Sequence, residues 1–209
     1  MKPYRSTRSQ PPAPRGPAAA ARGFTLIELM ITVALAAILT ALAAPSMTAM
    51  IRSNRIQTEA SWLLNDLQFA RSEAIRTGQP VSLCPTATGG TTSPTCITTN
   101  TWHSGWIVFR DATGSGTPDY TVSNPLLRQR AGLPNGDTAV ASTAPSPNAI
   151  TFNREGFTTG LGTSTVMMKF HTSDSNTKAT RCISVDFGGR LNTLIYGASS
   201  SSSSTVTCS

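Results

Sequence analysis

Histidine is scarce in this sequence: only His103 and His171 are present among 209 residues, and neither has a second histidine or a cysteine at zinc-ligand spacing. No metal or other cofactor is therefore expected. The patterns that announce common catalytic centres, GxSxG, HExxH, a phosphate-binding loop or paired carboxylates, are missing too. That leaves an enzyme only a triad assembled in space, and the sequence reads as a non-enzyme. Acids are absent from residues 1–23, which hold Lys2, Arg5, Arg8, Arg15 and Arg22, so most of the formal charge of +7 sits in that segment. Beyond it, 12 basic residues face 10 acidic ones, and a balance of +2 says little about partners. With 39% hydrophobic residues the chain suffices for one modest domain plus an anchor, or one larger domain.

No CxxC pair occurs either, yet four cysteines are present, at Cys84, Cys96, Cys182 and Cys208. An even number on one side of the apolar segment described next suits an oxidising compartment. Three connectivities are open; Cys84–Cys96 with Cys182–Cys208 closes the most local loops, and four free buried thiols are the alternative.

Residues 1–22, rich in Pro, Ala, Arg and Ser without hydrophobic periodicity, read as a flexible basic leader that stays in the cytoplasm. Residues 24–44 then carry a single charge, Glu28, over 21 positions, enough to span a bilayer core as a helix at about 1.5 Å per residue. The basic flank before this span places the N-terminus inside and the remainder outside. A secretory signal cut near residues 41–44 is the competing reading. Glu28 weighs against it, because an acid inside an apolar helix costs about 2.5–3.5 kcal/mol and needs a compensating role.

Arg22-Gly23-Phe24-Thr25-Leu26-Ile27-Glu28-Leu29 resembles the class III signal of type IV prepilins and type II secretion pseudopilins. The resemblance implies cleavage by prepilin peptidase between Gly23 and Phe24, N-methylation of the new Phe24 amine, and an assembly role for Glu28 as the fifth mature residue. A carboxylate in the apolar core would pair with the Phe24 amine of a neighbouring subunit and fix axial register. Gly23 offers the peptidase a backbone without a side chain. The partners so implied are the peptidase, other pilin or pseudopilin subunits and an inner-membrane assembly platform.

Pro45, placed where such pilins often bear a proline, is expected to bend or loosen the helix, which then resumes. Ile56, Ala60, Leu63, Leu67, Ala70 and Ala74 form one apolar stripe suited to docking on a sheet, and Gly78-Gln79-Pro80 ends the helix. Arg52, Arg55, Glu59, Asp66, Arg71, Glu73 and Arg76 lie largely off the stripe and read mostly as a solvated face. After Pro80, β-rich runs at 81–84, 106–110, 126–129, 149–152, 165–170, 181–187 and 190–196 alternate with turn signals. A two-glycine hairpin at Phe187-Gly188-Gly189-Arg190 sets Arg190 at the start of the returning strand. The serine-rich tail reads as flexible, tied back by Cys208.

The expected fold is α+β and pilin-like, a long N-terminal transmembrane helix whose C-terminal half packs on a mainly antiparallel β-sheet head. Its parts are a leader at 1–23, the span at 24–44, an amphipathic helix at 45–78, the head at 79–196 and the tail at 197–209. Leu83-Cys84-Pro85, Trp102, the run Gly105-Trp106-Ile107-Val108-Phe109-Arg110-Asp111, and Leu126-Leu127-Arg128 resemble the head of the GspH/FimT group. That group comprises minor pilins and pseudopilins, and the residues do not separate a pilus subunit from a type II secretion subunit. Trp106, Val108 and Phe109 read as core or subunit interface. Asp111 and Asp119 around Gly114 and Gly116 read as a turn rather than a calcium loop.

Some FimT members take up DNA through a Gly-Arg-x-Arg motif. Here Gly189-Arg190-Leu191-Asn192 lacks the second arginine, but Arg190 with Arg181, Lys178, Arg128 and Arg130 is a candidate basic patch for sequence-independent DNA binding.

Overall fold

The computed structural model describes residues 23–87, 94–116, 120–121, 123–141, 147–162, 164–200 and 203–209, with the backbone alone at 45 and 203–205. The leader at 1–22 and Asp119 lie outside the described residues. The chain divides into two compact units at Ala44/Pro45. Helix α1, Leu26–Thr77, supplies backbone to both. In the first unit every described residue from Gly23 to Ala44 is exposed, and among the described residues α1 is the helix long and apolar enough to cross a membrane.

In the second unit α1 ends at Thr77, where Gly78, in the left-handed region at φ 67°, donates its N–H to Ala74 O at 2.9 Å. A five-stranded antiparallel sheet follows, built from β1 (Val81–Pro85), β2 (Gly105–Arg110), β3 (Leu126–Ala131), β5 (Ile150–Phe152) and β6 (Thr158–Thr159) in the order β3-β2-β1-β5-β6. A four-stranded sheet joins β4 (Thr138–Ala141), β7 (Val166–His171), β8 (Arg181–Val185) and β9 (Leu191–Ile195) in the order β4-β7-β8-β9.

The stripe Ile56, Ala60, Leu63, Leu67, Ala70 and Ala74 is buried, and one core cluster unites it with Leu83, Trp106, Val108 and Phe152 of the first sheet and Met168, Phe170, Ile183 and Val185 of the second. Burying each large side chain is worth about 1.5–3 kcal/mol, so the helix is held by tertiary packing more than by propensity. Trp102 is fully buried in the same cluster, while Phe109 packs with Cys84 and Ile107 in a smaller one.

The structure corrects two expectations. Charges read as a solvated face are buried: Glu59, Asp66 and Glu73 are 0%, 2% and 8% exposed, because α1 packs against two sheets and buries more than one stripe. The tail is not structureless in its described part. Strands β10 (Ser199–Ser200) and β11 (Ser203–Thr207) pair antiparallel, and Cys208 exchanges backbone bonds with Gly197 and Ala198 at 2.7 and 2.9 Å. Serine composition gives no apolar drive to fold, but the Cys182–Cys208 bond pins this segment beside Met167 and Leu194.

Candidate functional site

The anchor terminus is built from a helix cap. Thr25 stands immediately before α1; its Oγ1 accepts the Glu28 N–H at 3.3 Å and its carbonyl accepts the Leu29 N–H at 3.2 Å. Thr25-Leu26-Ile27-Glu28 thus starts the helix in the S/T-x-x-E pattern, a capping signal present in the sequence itself. Glu28 stands in the first turn, where the helix dipole favours an anion, and it forms no ion pair within the described residues. Phe24, 83% exposed, precedes it by four positions.

Farther along α1, the three buried acids lie seven residues apart, a rise of about 10 Å at each step. Asp66 accepts the Trp106 indole N–H and the Arg128 Nη1 N–H, both at 2.9 Å, and faces Arg130 at 3.7 Å. Arg128 also lies over the Phe69 ring at 3.7 Å and Arg130 over Trp62 at 5.1 Å. Glu73 takes two bonds from Arg76, at 2.7 and 2.8 Å, and one from Arg110 at 3.4 Å. Hydrogen bonding from Arg76 holds its carboxyl below the usual glutamate range. Glu59 is less well served. The nearby Arg55 donates both Nε–H and Nη2–H to Asp137, at 2.5 and 2.7 Å, leaving Glu59 an Arg55 nitrogen at 3.9 Å and neither oxygen hydrogen-bonded. Burial first, and the Asp137 charge second, push its pKa up to about 7.

The five cations read as one basic patch stand in three places. Arg128 and Arg130 are spent on Asp66, Phe69 and Trp62. Arg181 bonds Gln57 at 2.8 Å and Ser53 at 3.1 Å, and also the carbonyl of Lys178; with Lys178 and Tyr196 it lines a shallow depression of about 380 Å³. Arg190 is exposed in the turn between β8 and β9, whose Gly189 abuts Arg71 and Gly156. Helix positions 57 and 71, which these two contacts mark, are about 21 Å apart along the axis.

Cysteine pairing in the structure is Cys84–Cys96 and Cys182–Cys208, with Cα–Cα distances of 5.5 and 5.8 Å. Asp111 accepts N–H bonds from Thr113 at 2.8 Å and Gly114 at 3.0 Å and a hydroxyl bond from Ser82 at 2.7 Å, which makes it the anchor of a turn. Among the described residues no cluster of His, Cys, Asp or Glu suited to a metal occurs.

A family profile described as type II transport protein GspH matches residues 59–189, and one described as the prokaryotic N-terminal methylation motif matches residues 19–44. The chain belongs to the GspH family. Its head also resembles the type IV minor pilin FimU of Pseudomonas aeruginosa, 21% identical, with a TM-score of 0.50 over 66% of this chain and 87% of that one. The minor pseudopilin EpsH from the type 2 secretion system of Vibrio cholerae aligns at 11% identity and a TM-score of 0.45, over 68% of this chain and 97% of that one. No curated protein matches. GspH-family proteins are structural pilin and pseudopilin subunits rather than enzymes, and the apolar helix with its methylation motif marks this one as membrane-anchored. The family match begins at Glu59, the first of the three buried acids, and stops one residue before Arg190.

Proposed function

We propose that this GspH-family chain is a minor pilin or pseudopilin, inserted in the inner membrane with its N-terminus cytoplasmic and its head periplasmic. Prepilin peptidase cuts between Gly23 and Phe24, the Phe24 amine is methylated, and the mature subunit joins a type IV pilus or a type II secretion pseudopilus through the assembly platform. The carrying observation is the apolar first stretch of α1, capped by Thr25, in which residues 24–44 hold one carboxylate, Glu28, four positions after Phe24. An acid in that position stays charged inside a bilayer only with a cation beside it, and the amine of the next subunit is the cation the assembly supplies. Replacing Gly23 by valine is expected to stall cleavage, so that the unprocessed precursor accumulates on an immunoblot; normal processing would remove the peptidase from this account.

A second reading, DNA binding, draws on Arg190, whose guanidinium has no partner among the described residues. The separation of the other cations opposes it, since phosphate binding gains affinity with each cation brought to one groove. Titration of the purified protein with double-stranded DNA over a salt series is expected to show no saturable binding. Saturable, salt-sensitive binding lost in Arg190→Gln would establish the second reading instead.

A further inference from the structure

Two tight turns, one holding Gly156 and the other Gly189, meet beside the last turns of α1. Both glycines have positive φ, and a Cβ on Gly189 would come within 2.1 Å of Gly156 O. Only glycine permits this approach. Arg71 clamps the pair from the helix, donating Nε–H to Gly156 O at 3.1 Å and Nη2–H to Gly188 O at 3.3 Å.

The interlock sets Phe157 and Phe187 face to face, with ring centroids 5.7 Å apart and planes 24° apart. They nevertheless remain 43% and 49% exposed, and Ile75, which approaches Gly156, is 53% exposed. A stacked pair fixed by interlocking turns and left open is a preorganised surface rather than scattered apolar exposure. Its aromatic area, roughly 200 Å² for two half-open phenylalanines, suits the centre of a standard interface of about 800 Å² per partner.

The charges beside it indicate the partner. Arg190 closes the Phe187 turn with its backbone N–H on Asp186 Oδ1 at 2.9 Å, and its guanidinium has no acid within the described residues. Arg154 is neutralised by Glu155 at 2.7 Å. A single arginine in a turn that also carries Asp186 is a poor phosphate groove, but an aromatic pair with an arginine three residues on from Phe187 in the same turn is the composition of a protein hot spot.

We propose that Phe157, Phe187 and Arg190 form a docking surface for a different subunit of the same fibre, one that presents aliphatic side chains beside a carboxylate. This rests on the assembly reading above. The test places photoreactive p-benzoylphenylalanine at position 187 of the full chain, in cells that build the fibre, and identifies adducts by peptide mass spectrometry. Fibre incorporation is measured in parallel.

The expected adduct is a peptide of another fibre subunit containing Asp or Glu. Its yield falls at least tenfold with Arg190→Glu and is retained with Arg190→Lys. Incorporation without such an adduct, adducts only to a second copy or to DNA, or a yield indifferent to Arg190→Glu would overturn the docking surface while leaving the assembly reading intact. Failure of the unsubstituted chain to enter fibres would overturn both.

Discussion

Glu28→Ala leaves the protein inserted and cleaved but removes it from fibres. In the single chain Glu28 has no salt-bridge partner among the described residues, and its local role, beside the Thr25 cap, is a favourable helix-start position worth at most about 1 kcal/mol. Losing that much does not prevent an apolar segment of this length from inserting, and removing a charge from a bilayer span makes insertion easier. Between subunits the cost is larger. The Phe24 amine of the neighbour would be left charged in hydrocarbon, and breaking a buried pair from one side costs about 3–5 kcal/mol, roughly a hundredfold or more in incorporation. Quantitative immunoblotting of sheared fibres against membranes measures this ratio. Wild-type incorporation would transfer the assembly role away from Glu28.

Glu59→Gln raises the stability of the head at neutral and alkaline pH. The folded pKa of Glu59, about 7, lies above the ordinary glutamate value of 4.5. The folded protein therefore holds a proton that the unfolded chain releases, and stability declines as pH rises from about 4.5 to about 7, then levels off. Glutamine keeps the shape and cannot ionise, so the decline disappears. The difference above pH 7 is about 3 kcal/mol, or roughly 6–12 °C in Tm for a domain of this size. Thermal unfolding of the full chain in detergent at pH 5 and pH 8 reads it: the variant gains over wild type at pH 8 and little at pH 5. Equal gains at both would show that burial of an unbonded group, not its charge, is the cause. Asp66 and Glu73 make the contrast, since each is met by arginine, and for Asp66 also by the Trp106 indole.

Sequence periodicity reveals the face of α1 that docks, from Ile56 to Ala74, because a helix buries side chains at its own repeat. It does not reveal how wide the covered face is. Glu59, Asp66 and Glu73 recur every seven residues on the margin of that stripe, a regularity visible in the sequence. Yet what meets them, the Asp137 charge near Glu59, Trp106 and Arg128 on Asp66 and Arg110 on Glu73, comes from strands and turns remote along the chain, so the acids look solvated until the sheets are in place. The strands with strong apolar runs are legible, whereas β4 (Thr-Ala-Val-Ala) and β6 (Thr-Thr) have no large apolar run and β10 and β11 are held by backbone pairing and a disulfide. The arginines illustrate the same limit. Charge count suggests a patch, but Arg128 and Arg130 belong to Asp66, and only the structure separates them from Arg190 and stacks Phe187, of the Arg190 turn, on Phe157.

The most direct test of the central claim is the mass of the N-terminal peptide from protein recovered in sheared fibres. A peptide beginning at Phe24 with one added methyl group is the predicted result. Absence from fibres, or a fibre-borne chain beginning at Met1, would contradict the assignment of this protein as a processed pilin or pseudopilin subunit.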